Sequence, residues 1–210
     1  MTTLDQAKIR KMLLAFVLGA LGGGGAMAAF LWLGFEPGWR VEQVAIGGVG
    51  VVYLVTGLFT LGGVLMPGMG ARVLNVADRE ELVEMRNMLV GSSVSAIALG
   101  IMLLALVGSG PSGAVPDVVV IAAVGLSLLT IGVIGVQQWR LYDELWRQLS
   151  WESSAFAMSL LLPILLIWGV AVHLGWLSAM DPLLVIAVAA ASMLVGAFIA
   201  AGRRGMLAPR

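Results

Sequence analysis

Polar and apolar residues are sorted into long blocks along this chain rather than mixed. Residues 12–34, 43–66, 88–116, 118–139, 153–180 and 182–202 contain no Asp, Glu, Lys or Arg. Each block reaches the roughly 20 residues that an α-helix needs to cross a ~30 Å hydrocarbon core. A chain inside lipid must pair its own backbone groups, and these runs lack the alternation of barrel strands, so each is read as a helix. The pattern predicts an all-α integral membrane bundle of six transmembrane helices in one domain, 1–210. The spans fall at about 12–34, 43–66, 88–107, 118–138, 154–175 and 183–202.

The polar residues between the blocks give the orientation. If both termini are cytoplasmic, Lys8, Arg10, Lys11, Arg72, Arg79, Arg86, Arg140, Arg147, Arg203, Arg204 and Arg210 lie inside and only Arg40 lies outside. That asymmetry is what the positive-inside rule demands. Tryptophans follow it, with Trp32, Trp39 and Trp176 near outer helix ends and Trp139, Trp146 and Trp151 near inner ones. The first block, with Lys8 to Lys11 before it and Ala26-Met27-Ala28 within it, imitates a cleavable signal peptide. Its apolar run continues through Leu33, so it is read as a retained first helix in a multi-pass inner-membrane protein.

The inner connections share a pattern. Residues 3–10, 78–86 and 143–148 each carry a short charged segment that leads into an in-to-out span, which suggests three repeated helical hairpins. Asp78 with Glu81, and Thr3 with Gln6, have the spacing of a capping box. Within the spans, small residues recur about one or two turns apart: Gly19 and Gly23, Gly50 and Gly57, Ser92, Ala96 and Gly100, and Ser192, Gly196 and Ala200. Such faces let helices approach closely in lipid. They serve either packing within the chain or a homodimer, for which 19–29 is the candidate face. Pro163 is the one helix breaker in mid-span and predicts a kink there.

Composition narrows the chemistry. Hydrophobic residues make up 60% of the chain and charged ones 11%, a balance that excludes a water-soluble enzyme. Twelve basic and twelve acidic residues cancel, giving no signature of direct nucleic-acid binding. The absence of cysteine removes disulfides, thiolate metal sites and cysteine nucleophiles. The lone His173, near the outer end of the fifth span, is read as an interfacial side chain, with ligand and proton-acceptor roles as alternatives. The twelve methionines form no Met-x-x-Met cluster in an outer loop and are read as core filler. Gly47-Gly48-Val49-Gly50 follows no strand and precedes no Lys-Ser/Thr, so it is no phosphate loop. No ionisable group sits at mid-membrane depth, which argues against an ion-coupled transporter. No catalytic residue, cofactor or metal is expected.

The remaining candidates lie at the inner face. Arg86 and Glu152 stand where charged segments enter the bilayer, with no opposite charge at i±3 or i±4, and are expected to pair with each other; lipid snorkelling is the alternative for Arg86. Arg140 with Glu144, and Asp143 with Arg147, have the spacing of pairs within a helix. The acidic segment with Asp78 and Glu81, and the stretch 140–152 with Leu141, Leu145, Leu149 and Trp146, suit packing on the bilayer or docking of a partner. Residues 142–155, Tyr-Asp-Glu-Leu-Trp-Arg-Gln-Leu-Ser-Trp-Glu-Ser-Ser-Ala, resemble a motif of small bacterial membrane proteins in which Asp-Glu, an Arg about three residues on, and Glu-Ala or Glu-Ser enter a transmembrane helix. Residues 78–86 are a looser echo. Members of such families are often encoded beside helix-turn-helix regulators, so the resemblance implies a membrane protein that restrains or senses for a cytosolic transcription factor. The expected function is thus a non-enzymatic regulatory or accessory protein that binds a cytosolic or membrane partner. The alternative is a small transporter or channel for an uncharged or lipidic solute.

Overall fold

A computed structural model describes residues 24–25, 28–30, 32, 39–74, 76, 79–109 and 113–206. Among them the chain forms seven helices and no strand: α1 (Val41–Leu65), α2 (Pro67–Val73), α3 (Arg79–Glu84), α4 (Arg86–Val107), α5 (Asp117–Leu141), α6 (Glu144–His173) and α7 (Pro182–Arg203). Five of these, α1, α4, α5, α6 and α7, are long and apolar enough to cross a membrane. The expected first span, 12–34, lies outside the described residues except for a few helical positions, among them Phe30. The Phe30 ring stacks at a tilt on Trp39 and occupies the space in which a side chain at Gly47 would stand.

Local chemistry sets the helix ends. Asp143 caps α6 by accepting from the Trp146 N–H at 2.9 Å, and Asp181 caps α7 by accepting from the Leu183 N–H at 2.8 Å. Pro67 and Pro182 occupy first turns, where a missing N–H costs nothing. After α6 and α7, Gly175 and Gly205 take the left-handed conformation, with φ of 75° and 69°.

One boundary differs from the expected ones. The charged segment before the fifth span is not a separate helix: it is the first part of α6, which runs unbroken for 30 residues. Asp143 starts that helix and no Gly or Pro interrupts it before Pro163, which itself lies inside α6. The corresponding α3 ahead of α4 is a helix of its own, set off by a turn at Met85, and it buries Leu82.

The spanning helices pack as an array in the order α5, α4, α1, α7, α6. The core lies where α1, α4 and α7 meet, around Ile46, Tyr53, Met102, Leu103, Val107, Ala187 and Ala190. The small residues singled out by spacing make these contacts. A Cβ added at Gly57 would stand 2.8 Å from the Ser93 carbonyl oxygen, and one at Gly100 would stand 2.8 Å from the Leu54 nitrogen and 2.9 Å from the Gly50 oxygen. Between α6 and α7, a Cβ at Gly196 would stand 2.6 Å from the Ser153 carbonyl oxygen. These are backbone neighbours, so the helices touch main chain to main chain. Gly50, Gly57, Gly100 and Gly196 therefore serve packing within the chain, while Gly19 and Gly23 lie outside the described residues. Within the core, the Tyr53 hydroxyl donates to the Ala190 carbonyl at 2.9 Å and ties α1 to α7.

Candidate functional site

The helices alternate in direction, and this gathers the polar residues at two ends. One end carries Arg40, which pairs with Glu42 at 2.8 Å and Asp181 at 3.1 Å. Beside it Gln43 donates to the Val107 carbonyl at 3.0 Å, and the starts of α1 and α7 are thus fixed to the end of α4. His173 ends α6 on the same side. The other end gathers Arg86, Arg140, Arg147, Arg203 and Arg204, and we call it the basic end.

At the basic end, side chains take over where helix packing stops. Gln138, buried in the last turns of α5, donates to the Met88 carbonyl of α4 at 2.7 Å. Its own oxygen accepts from the Tyr142 hydroxyl at 2.9 Å. Burial pushes the Tyr142 phenol up, and a hydrogen bond from Ser92 partly offsets that. The Tyr142 and Trp146 rings lie 6.5 Å apart. Both polar groups of this corner are hydrogen-bonded, which orients the end of α5 and the start of α6.

Glu152 has a different partner from the one its surroundings in sequence suggest. Its carboxylate receives both the Nη2 and the Nε of Arg204, at 2.6 and 3.0 Å, and the same guanidinium reaches Gln148 at 3.2 Å. This two-pronged bond joins α6 to the end of α7. The expected Arg86–Glu152 pair is therefore not formed, and Arg86, at the start of α4, makes no ion pair with any described residue. Arg204 lies 52 positions from Glu152, just past the last apolar block, beyond the reach of helix-spacing rules.

The two pairs expected within the 140–152 stretch are also replaced. Asp143 spends its carboxylate on the helix cap and Glu144 accepts from Gln148 at 3.0 Å. Arg147 instead lies over the Trp139 ring, 5.9 Å from its centre, and Trp139 meets Trp151 edge to face at 5.9 Å. Arg203 lies over Phe156 in the same way, at 5.3 Å. Arg140 makes no ion pair with a described residue. Glu81 sits in the first turn of α3, and Asp78 lies outside the described residues. Among the described residues no three His, Cys, Asp or Glu come together in a group able to hold a metal. Sequence reasoning passed over Gln138, Tyr142 and Arg204. The first two had a signal, a pair of glutamines and a tyrosine closing an otherwise apolar block.

No family model, no curated protein and no solved structure matches this chain.

Proposed function

We propose that this chain is a non-enzymatic, multi-pass inner-membrane protein of regulatory or accessory type. In this reading it has six spans and cytoplasmic termini, and it engages a cytosolic or membrane partner at its basic end. The observation that carries the reading is the α5–α6 corner. Leu141 and Leu145 stand exposed there, 63% and 46% accessible, on segments held rigid by the Asp143 cap and the Gln138–Tyr142 bonds. Apolar side chains on a fixed, charge-flanked surface at the membrane boundary suit a protein partner. Three repeated hairpins remain part of the proposal: α4 with α5 and α6 with α7 each pack as neighbours after a charged helical segment. A solute path gains no such support from the α1–α4–α7 centre, where backbones are in direct contact.

A photocrosslinking side chain at Leu145, introduced in native membranes, tests the reading. One protein adduct that disappears in Leu141→Asp is expected, and lipid adducts alone would overturn it. The chain contains no cysteine, so orientation is read with single substitutions. A membrane-impermeant maleimide applied to intact cells is expected to label Ser178→Cys and to spare Gly205→Cys; the reverse pattern would invert the topology.

A further inference from the structure

Two faces of α1 are taken by neighbouring spans: Gly50 and Gly57 press on α4, and Tyr53 holds α7. On the side turned away from Gly50 and Gly57, Val44, Gly48, Val51, Val55, Leu58 and Gly62 follow one another at intervals of four and three. That spacing makes them a single apolar seam along the helix. The seam is covered at its first turns, where Gly47 and Gly48 are buried and the Phe30 ring fills the space a side chain at Gly47 would need. It opens further along. Leu58 is 52% accessible, and no described residue lies within 4 Å of the place a Cβ at Gly62 would take.

Phe30 belongs to the first apolar block, and the described positions around it show which side of that block faces α1. Phe30 is half-buried, whereas Gly24, Gly25, Ala28, Ala29 and Trp32 are exposed. At helical spacing these five centre on the side opposite Phe30. Continued as the helix that the sequence predicts, the block places Gly23, Gly19 and Phe16 on the same side as Phe30. Phe30 also stacks on Trp39, just before α1 begins, so the block and α1 are joined by a short connection and run antiparallel.

We infer that the seam of α1 is the docking face of the first span of this same chain, residues 12–30, laid antiparallel along it. Counting back from Phe30 and forward from Gly47, Gly23 falls about level with Val55, Gly19 with Leu58 and Phe16 with Gly62. A larger side chain thus meets a glycine at every step, the complementarity that lets helices approach closely in lipid. The inference rests on the six-span reading above, and it gives Gly19 and Gly23 to packing within the chain rather than to a homodimer. The chain contains no cysteine, so disulfide trapping in native membranes tests it. Phe16→Cys with Gly62→Cys is expected to close an intramolecular disulfide in most of the protein. Leu14→Cys with Gly62→Cys, in which the first residue lies on the opposite side of its helix, should stay at background. No disulfide in the first pair, or equal yields in the two, would overturn the docking. So would disulfide-linked dimers of Gly23→Cys, which mark a seam between copies. Thr3→Cys separates the docking from the reading it rests on. A membrane-impermeant maleimide applied to intact cells is expected to spare it, and labelling there would overturn the six-span reading itself.

Discussion

The centre of the array and its two outer helices use the same residue type for opposite ends. In α1, α4 and α7, several glycines sit where another backbone passes, as at Gly57 against Ser93 and Gly100 against Leu54. In α5, Gly125, Gly132 and Gly135 have nothing within 4 Å of the place a Cβ would take. Burial follows the same division. α1 buries eight residues, whereas α6, the longest helix, buries only Ala157. Hydrophobicity cannot produce this difference, because both regions are apolar and lipid competes equally for both. Close packing produces it, since van der Waals contact is what drives helices together where no hydrophobic effect acts.

Substitutions that fill space should therefore separate the two regions sharply. The largest effect is expected from Gly100→Leu or Gly196→Leu, which push backbone away from backbone. Each should lose about 3 kcal/mol against unfolding in detergent, at the upper end for overpacked sites. A loss as small as that of a surface change would mean that α4 or α7 does not pack as described. Next is Tyr53→Phe, which removes the hydroxyl joining α1 to the Ala190 carbonyl. Its expected cost is about 1 kcal/mol, typical of a hydrogen bond between membrane helices.

The bond at the α6–α7 edge should matter less, because both its partners are partly exposed. A double-mutant cycle on Glu152→Gln and Arg204→Gln is expected to give a small coupling that weakens as salt is added. The same cycle on Arg86→Gln and Glu152→Gln should give none. A clear coupling for the second pair and none for the first would restore the pairing that the sequence alone suggests.

That exchange of partners marks the limit of what the sequence conveys. The charge-free blocks locate α1, α4, α5, α6 and α7, because no other structure satisfies so long an apolar backbone. Helical spacing also identifies Gly50, Gly57, Gly100 and Gly196 as a packing set. Spacing does not name the neighbour, however, and it does not tell Gly57, pressed on Ser93, from Gly132, which touches nothing. Glu152 shows the same blindness: rules for i±4 neighbours see only its own helix, while its partner follows from how α6 and α7 lie together. Asp143 is expected from spacing to pair with Arg147; that it caps α6 instead, while Arg147 lies over the Trp139 ring, emerges only from the structure.

The most direct test sets Gly57→Ala against Gly132→Ala, one methyl group added to the centre and one to the outer helix α5, with reversible unfolding measured in the same detergent. The expected result is a loss of about 1–3 kcal/mol for Gly57→Ala, whose new methyl meets Ile97 and the Ser93 carbonyl. Gly132→Ala is expected to change nothing or to gain up to about 1 kcal/mol from helix propensity. Equal losses at the two positions, or a greater loss at Gly132, would contradict the division between a close-packed centre and a loosely packed outer helix α5.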